Sequence, residues 1–255
     1  MSRVLIVTGG SRGLGAATCI GAAEAGYEAI CVNYVGNKAR ANEVVAACEK
    51  AGAKAIAAQA DVTKEADIVR MFETVDKELG TVTHLVNSAG IVGPYARVDE
   101  LDNWSALEEL WTLNITATLV CSREAIKRMS TKHGGKGGAI VHLSSAASHL
   151  GGAGVNVPYA ASKGAMITMT KSLARVLGPE VRINAVCPGF IQGEWLRQGM
   201  GPEVYDRTQA FLEGATPLKR TATADTVAEA IIMLITSASL VTGETLLLDG
   251  GHHLL

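Results

Sequence analysis

Nothing in this 255-residue sequence carries an excess of one charge: 23 Lys and Arg face 25 Asp and Glu, and neither a basic block nor an acidic tail occurs. The composition gives no pull towards nucleic acid or an anionic membrane, which favours work on a small molecule. No apolar stretch approaches the ~20 residues of a membrane span. The opening run MSRVLIVTGG lacks the long hydrophobic region and cleavage site of a secretory signal, so a cytoplasmic protein is expected. The five cysteines (19, 31, 48, 121 and 187) are odd in number, sit in apolar surroundings and show no CxxC spacing. This excludes a disulfide frame or a zinc site and predicts buried free thiols. A linker rich in proline or charge is also missing.

What is present is apolar material for a large core, 48% of the chain against 19% charged, in a strand-then-helix alternation. RVLIVTG is a continuous apolar run ending at glycine, as a buried parallel strand should be, and GLGAATCIGAAEAG after it reads as a helix closed by Gly26. Further strands are predicted in EAICVNY, AKAIAAQAD, VTHLVNSAG, GGAIVHLSS, EVRINAVCPG and ETLLLDGG. Helices are predicted near 38–51, 64–79, 105–132, 158–178 and 224–236. The alternation implies a single-domain, doubly wound α/β fold of Rossmann type over residues 1–255, with about seven parallel strands and helices on both faces. Residues 190–215 break the pattern with Gly, Pro, Trp and Met, and form a candidate substrate lid.

TGGSRGLG sits where the first strand feeds the first helix. Glycines there permit a tight turn and let the backbone approach a pyrophosphate resting on the helix N-terminus. Thr8, Gly9, Ser11, Arg12, Gly13, Leu14 and Gly15 are therefore candidate dinucleotide contacts. An acidic residue about 20 positions on would bind the NAD ribose, but that place holds Asn33. Arg12 and Lys38 are placed to face a 2′-phosphate, so NADP(H) is the preferred cofactor, with NAD(H) the alternative. The letters GGSRG also match the G-x-S-x-G of a serine hydrolase with Ser11 as nucleophile. That reading fails on position, because one strand alone precedes the serine and the fold needs an oxyanion donor from an earlier loop.

YAASK places Tyr159 and Lys163 one helical turn apart, on one face. A tyrosine with a pKa of about 10 is a poor base at pH 7, and a neighbouring cation can supply ~1–3 units of the shift it needs. Lys163 is that cation.

The ordered set TGGSRGLG, AD at 60–61, NSAG at 87–90, Asn114, SS at 144–145, YAASK at 159–163 and PG at 188–189 resembles the short-chain dehydrogenases/reductases from Arg3 to about Gly251. The closest flavour is that of 3-oxoacyl-carrier-protein reductases and glucose-dehydrogenase-like members. The resemblance implies that Tyr159 is the general acid/base, that Lys163 tunes it and holds the nicotinamide ribose, and that Ser145 binds the substrate oxygen. It implies that Asn114 holds a water leading to Lys163, and that Asp61 and Val62 lie at the adenine. Asn87, Ala89 and Gly90 would line the adenosine ribose, and Pro188, Gly189 and Ile191 the nicotinamide end. It also implies a homotetramer.

Three departures from the pattern stand out. Ser145 precedes Tyr159 by 14 residues rather than the usual 13, which leaves Ser144 as an alternative. Ser88 replaces an asparagine, and Gly193 stands where many members carry a threonine. His149 and Trp195 are candidate substrate contacts. An oxidoreductase acting on an alcohol or carbonyl is the expectation; a dinucleotide-sensing protein without turnover is the alternative on the same fold.

Overall fold

The computed structural model describes residues 2–152 and 156–255. Seven strands form one sheet: β1 (Val4–Thr8), β2 (Ala29–Tyr34), β3 (Lys54–Gln59), β4 (His84–Asn87), β5 (Gly138–Leu143), β6 (Val181–Pro188) and β7 (Thr245–Leu248). Their order is β3-β2-β1-β4-β5-β6-β7, and every pairing is parallel. Each predicted strand is found in its place.

The apolar runs form strands here because both faces of the sheet are covered, so no alternation with polar residues is needed. All five residues of β1 and all six of β2 are buried. Helices α1 (Gly13–Glu24), α2 (Lys38–Lys50) and α10 (Ala224–Thr236) cover one face. The opposite face is covered by α3 (Glu65–Glu78), α5 (Ala117–Met129) and α7 (Val157–Leu177). Ile6, Ile30, Leu85, Ile140 and Ile183 are wholly enclosed, and each such side chain contributes about 1.5–3 kcal/mol.

Two stretches differ from the sequence expectation. The single helix expected at 105–132 is α4 (Trp104–Trp111), a π-helical turn at Thr112–Thr116, then α5. Such a bulge inserts one residue into the hydrogen-bond ladder and often marks a site where a side chain must be re-aimed. The irregular stretch after β6 forms two helices, α8 (Glu194–Met200) and α9 (Pro202–Ala215), and a one-turn α6 (Ala147–Leu150) follows β5. Part of the lengthened loop between Ser145 and Tyr159, residues 153–155, lies outside the described residues.

All five cysteines are buried and free. Burial pushes the Cys31 and Cys121 thiols up to about 12 and that of Cys48 to about 11. His142 is also enclosed, held between Ser122 Oγ at 3.1 Å and Thr170 Oγ1 at 2.9 Å, and burial lowers its pKa to about 4. It is a neutral core residue, as its place in a strand predicts.

Candidate active site

In open parallel sheets ligands bind beyond the C-terminal strand ends, where the chain direction across the sheet reverses. Here that point lies between β1 and β4. A cleft of 1310 Å³ opens there, running from the glycine turn to Tyr159 and the helices after β6.

Its near wall is the turn between β1 and α1. Gly13 adopts φ +52° with open space around it, and a Cβ on Gly15 would stand 2.2 Å from the Gly9 carbonyl oxygen. Only glycine lets this turn close while leaving its amide groups accessible. Arg12, the residue before α1, makes no side-chain cap, and the first turn of the helix carries no acid, so its positive end faces the cleft uncompensated. Gly9, Ser11, Arg12, Gly13, Leu14 and Gly15 all line the cleft. Thr8 stands behind them, its Oγ1 accepting from Ser88 N at 3.0 Å and Ala89 N at 3.1 Å. It ties the end of β1 to the loop after β4.

Beside the turn, towards β2 and β3, Asn33, Asp61, Val62, Ala89 and Gly90 line the wall where the adenosine is expected. Asn33 is already spent: its Oδ1 accepts from Gly9 N at 3.1 Å, and its Nδ2 donates to Ala60 O at 3.0 Å and Ala58 O at 3.4 Å. It braces the glycine turn against β3. Asp61 Oδ1 accepts from Thr63 Oγ1 at 2.7 Å and Thr63 N at 3.1 Å, and these bonds hold its carboxyl below the usual range. Asn87 is buried, donating to Ser122 Oγ at 3.2 Å, and is no part of the wall. Nor is Lys38; Arg40, two residues on, takes the wall position. The sequence holds a signal for this, because Asn37 caps α2 and accepts from Arg40 N at 3.0 Å. With the helix starting there, residues 38 and 40 point about 200° apart, so one of the two faces the cleft.

At the other end Ser145, Tyr159 and Lys163 converge with Pro188, Gly189 and Ile191. Pro158 is the second residue of α7, where its missing N–H costs nothing, and Tyr159 follows in the first turn. Ser145 hydrogen-bonds the Tyr159 hydroxyl. Ser144 does not compete, because its Oγ donates to Lys163 O at 2.8 Å inside the fold. Lys163 is 5% exposed; its Nζ donates to Leu143 O at 2.8 Å and lies 5.6 Å from the Tyr159 ring centre.

Burial sets both pKa values. It pushes Tyr159 up to about 12, against the pull of the Ser145 hydrogen bond, and Lys163 down to about 8. The lowering of Tyr159 expected from Lys163 is not found: the Ser145 hydrogen bond is what opposes desolvation.

Asn114, buried in the π-helical turn, is positioned rather than exposed. Its Oδ1 accepts from Ile91 N at 3.0 Å, and its Nδ2 donates to Ile91 O at 2.9 Å and Ser162 Oγ at 3.0 Å. It locks the loop after β4 onto α7, beside Lys163. Trp195 lines the cleft, whereas His149 is exposed and outside it. Tyr95, Glu108, Glu109 and Glu194 also line it, and no sequence motif marked them. Gly193 N donates to Tyr205 Oη at 3.0 Å, fixing the entry to α8.

A family model described as enoyl-(acyl carrier protein) reductase matches residues 9–253. The structure superposes on the short-chain dehydrogenase/reductase from Serratia marcescens BCRC 10948 with a TM-score of 0.87 at 30% identity, covering 98% of both chains. The chain belongs to the short-chain dehydrogenases/reductases. A member 42% identical over 97% of this chain and 99% of its own is the uncharacterized oxidoreductase YgfF of Escherichia coli (strain K12). Another, 33% identical over 98% of this chain and 96% of its own, is 2-(S)-hydroxypropyl-CoM dehydrogenase 3 of Xanthobacter autotrophicus. Membership in this family brings NAD(P)-dependent oxidoreduction. The residues suit such a cofactor: the glycine turn closes only with no side chain at Gly15, and the cleft joins it continuously to Tyr159 and Lys163. Among the described residues no helix is long and apolar enough to cross a membrane, and no acidic, histidine or cysteine cluster could hold a metal.

Proposed function

We propose that this short-chain dehydrogenase/reductase interconverts an alcohol and a ketone or aldehyde, with Tyr159 as general acid/base and NADP(H) preferred over NAD(H). The observation that carries the reading is the meeting of Ser145, Tyr159 and Lys163 at one end of a cleft whose other end is the glycine turn. The cofactor, when bound, supplies or accepts the hydride. Gly9 to Gly15 would hold its pyrophosphate, Arg12 and Arg40 its 2′-phosphate, and Lys163 its nicotinamide ribose.

In the reducing direction Ser145 Oγ–H donates to the carbonyl oxygen and holds it against Tyr159. As the carbonyl carbon is reduced, the Tyr159 hydroxyl gives its proton to that oxygen, and the alcohol leaves with it. A phenol near 12 is fully protonated at pH 7, which suits a proton donor. The phenolate left behind needs a cation, and Lys163, about nine-tenths protonated at pH 7 with a pKa of about 8, is one turn away. Tyr159 regains its proton from solvent before the next cycle.

The test is NADPH and NADH oxidation over a panel of ketones, 3-oxoacyl thioesters, quinones and aldoses, with Tyr159→Phe alongside. Turnover should fall at least ~100-fold in the variant while NADPH fluorescence titration shows binding retained. A variant as fast as the wild type removes Tyr159 from the chemistry. A kcat/KM ratio for NADPH over NADH below one removes the cofactor preference.

A further inference from the structure

The wall of the cleft carries an ion pair that the reaction does not use. Arg40, on α2, reaches across to Glu194, the first residue of α8, with Nη1 and Oε2 3.4 Å apart. Both residues line the cleft, and among the described residues no other ion pair links α2 to the segment after β6. The pair joins the adenosine end to the helices that flank the substrate end. Asn33, at the end of β2, is fully occupied by backbone groups, and Lys38 stands outside. Reading of the ribose 2′ position therefore falls to Arg40 and Arg12.

We propose that Glu194 is an internal stand-in for the cofactor's 2′-phosphate: it occupies Arg40 until a phosphate-bearing cofactor displaces it, and so tempers the NADP-over-NAD preference from the far wall. This rests on the NADP reading above. A phosphate monoester carries about −1.5 to −2 charge and three acceptor oxygens, against −1 and two for the carboxylate, so it wins the guanidinium. A neutral 2′-hydroxyl does not, and leaves α8 tethered to α2. Entry of the phosphorylated cofactor then frees the start of α8, beside Trp195, while entry of the unphosphorylated one does not. Glu194 is thus a positioning residue that acts through Arg40.

The experiment uses fragments, so that it does not depend on turnover. Dissociation constants of 2′,5′-ADP and 5′-AMP are measured by calorimetry for the wild type, Glu194→Gln, Arg40→Gln and the double variant, with Glu43→Gln as a second acid of the same wall. Because both partners are about half exposed or more, the competition is modest. Glu194→Gln should tighten 2′,5′-ADP relative to 5′-AMP by about two- to five-fold, the range of an exposed pair. Arg40→Gln should weaken 2′,5′-ADP, and adding Glu194→Gln to it should change nothing further. An unchanged or weakened ratio in Glu194→Gln overturns the proposal. So does the same gain in the Arg40→Gln background, or an equal gain from Glu43→Gln, either of which would reduce the effect to net charge. Discrimination between fragments in a protein that reduces no carbonyl leaves this inference standing and sinks the proposed activity. Normal NADPH turnover with no effect of Glu194→Gln does the reverse.

Discussion

Replacing Lys163 by methionine should stabilise the protein at neutral pH and cease to do so in alkali. The ammonium is 5% exposed, and burial lowers its pKa from 10.5 to about 8. In that form it costs about 3 kcal/mol of folding free energy at pH well below 8. The unfolded chain binds the proton more tightly, so wild-type stability rises with pH between about 8 and 10.4 as the folded form sheds it. Methionine removes this penalty but leaves the Leu143 carbonyl without its donor, a loss of about 1–3 kcal/mol. The net gain at pH 7 should thus lie between about 0 and 2 kcal/mol, and its pH dependence is the sharper number. From pH 7 to 9 the wild type should close the gap by about 1.3 kcal/mol. Urea denaturation of both proteins at one concentration and at pH 7, 8 and 9 measures this. Comparing the two cancels the buried thiols, whose unfolded forms titrate in the same range. A difference that stays flat across that range would refute the claim that Lys163 is held at low pKa by desolvation.

Three further outcomes follow from the glycine turn and its brace. Asn33→Ala removes three hydrogen bonds that brace the glycine turn against β3 and should cost about 3 kcal/mol, read as a fall in the urea midpoint; intact stability with loss of 2′,5′-ADP binding alone would make Asn33 a ligand instead. Gly15→Ala pushes a Cβ to 2.2 Å from the Gly9 carbonyl and should cost about 1–3 kcal/mol and at least ~10-fold in NADPH affinity. Gly13→Ala, with open space and φ +52°, should lose about 1–2 kcal/mol through backbone strain alone.

The sheet was legible because its inner strands, β1 and β2 above all, are buried on both sides, so their apolar runs need no partner to be recognised. The meeting of Tyr159 and Lys163 at the cleft was legible for a related reason: they are local, one turn apart on one helix. What escaped the sequence depends on rotation and on long-range contact. The Asn37 cap signals that one of Lys38 and Arg40 faces the cleft, but which one is set by how α2 packs on the sheet, and a two-residue shift, about 200°, reverses the answer. Asn33 looks like a cofactor residue by position, but its fate depends on Gly9, Ala58 and Ala60, 24 to 27 residues away. The π-helical turn at Thr112–Thr116 leaves no periodicity signal, since one added residue disturbs the pattern no more than a surface polar residue does. Glu194 and Arg40 are 154 residues apart, and nothing local announces their meeting.

The five enclosed thiols give the chain a silent chemical inventory. Cys31 and Cys187 lie in central strands, Cys19, Cys48 and Cys121 on helices of both faces, and none presents a thiolate to solvent. An alkylating reagent therefore meets sulfur only when the molecule breathes, and each adduct dates the opening of one particular layer. The folded protein can be handled in air without cross-linking to its neighbours through surface sulfur, while any opened fraction signs itself covalently. Burial chosen for packing has made these side chains a built-in record of how the layers come apart.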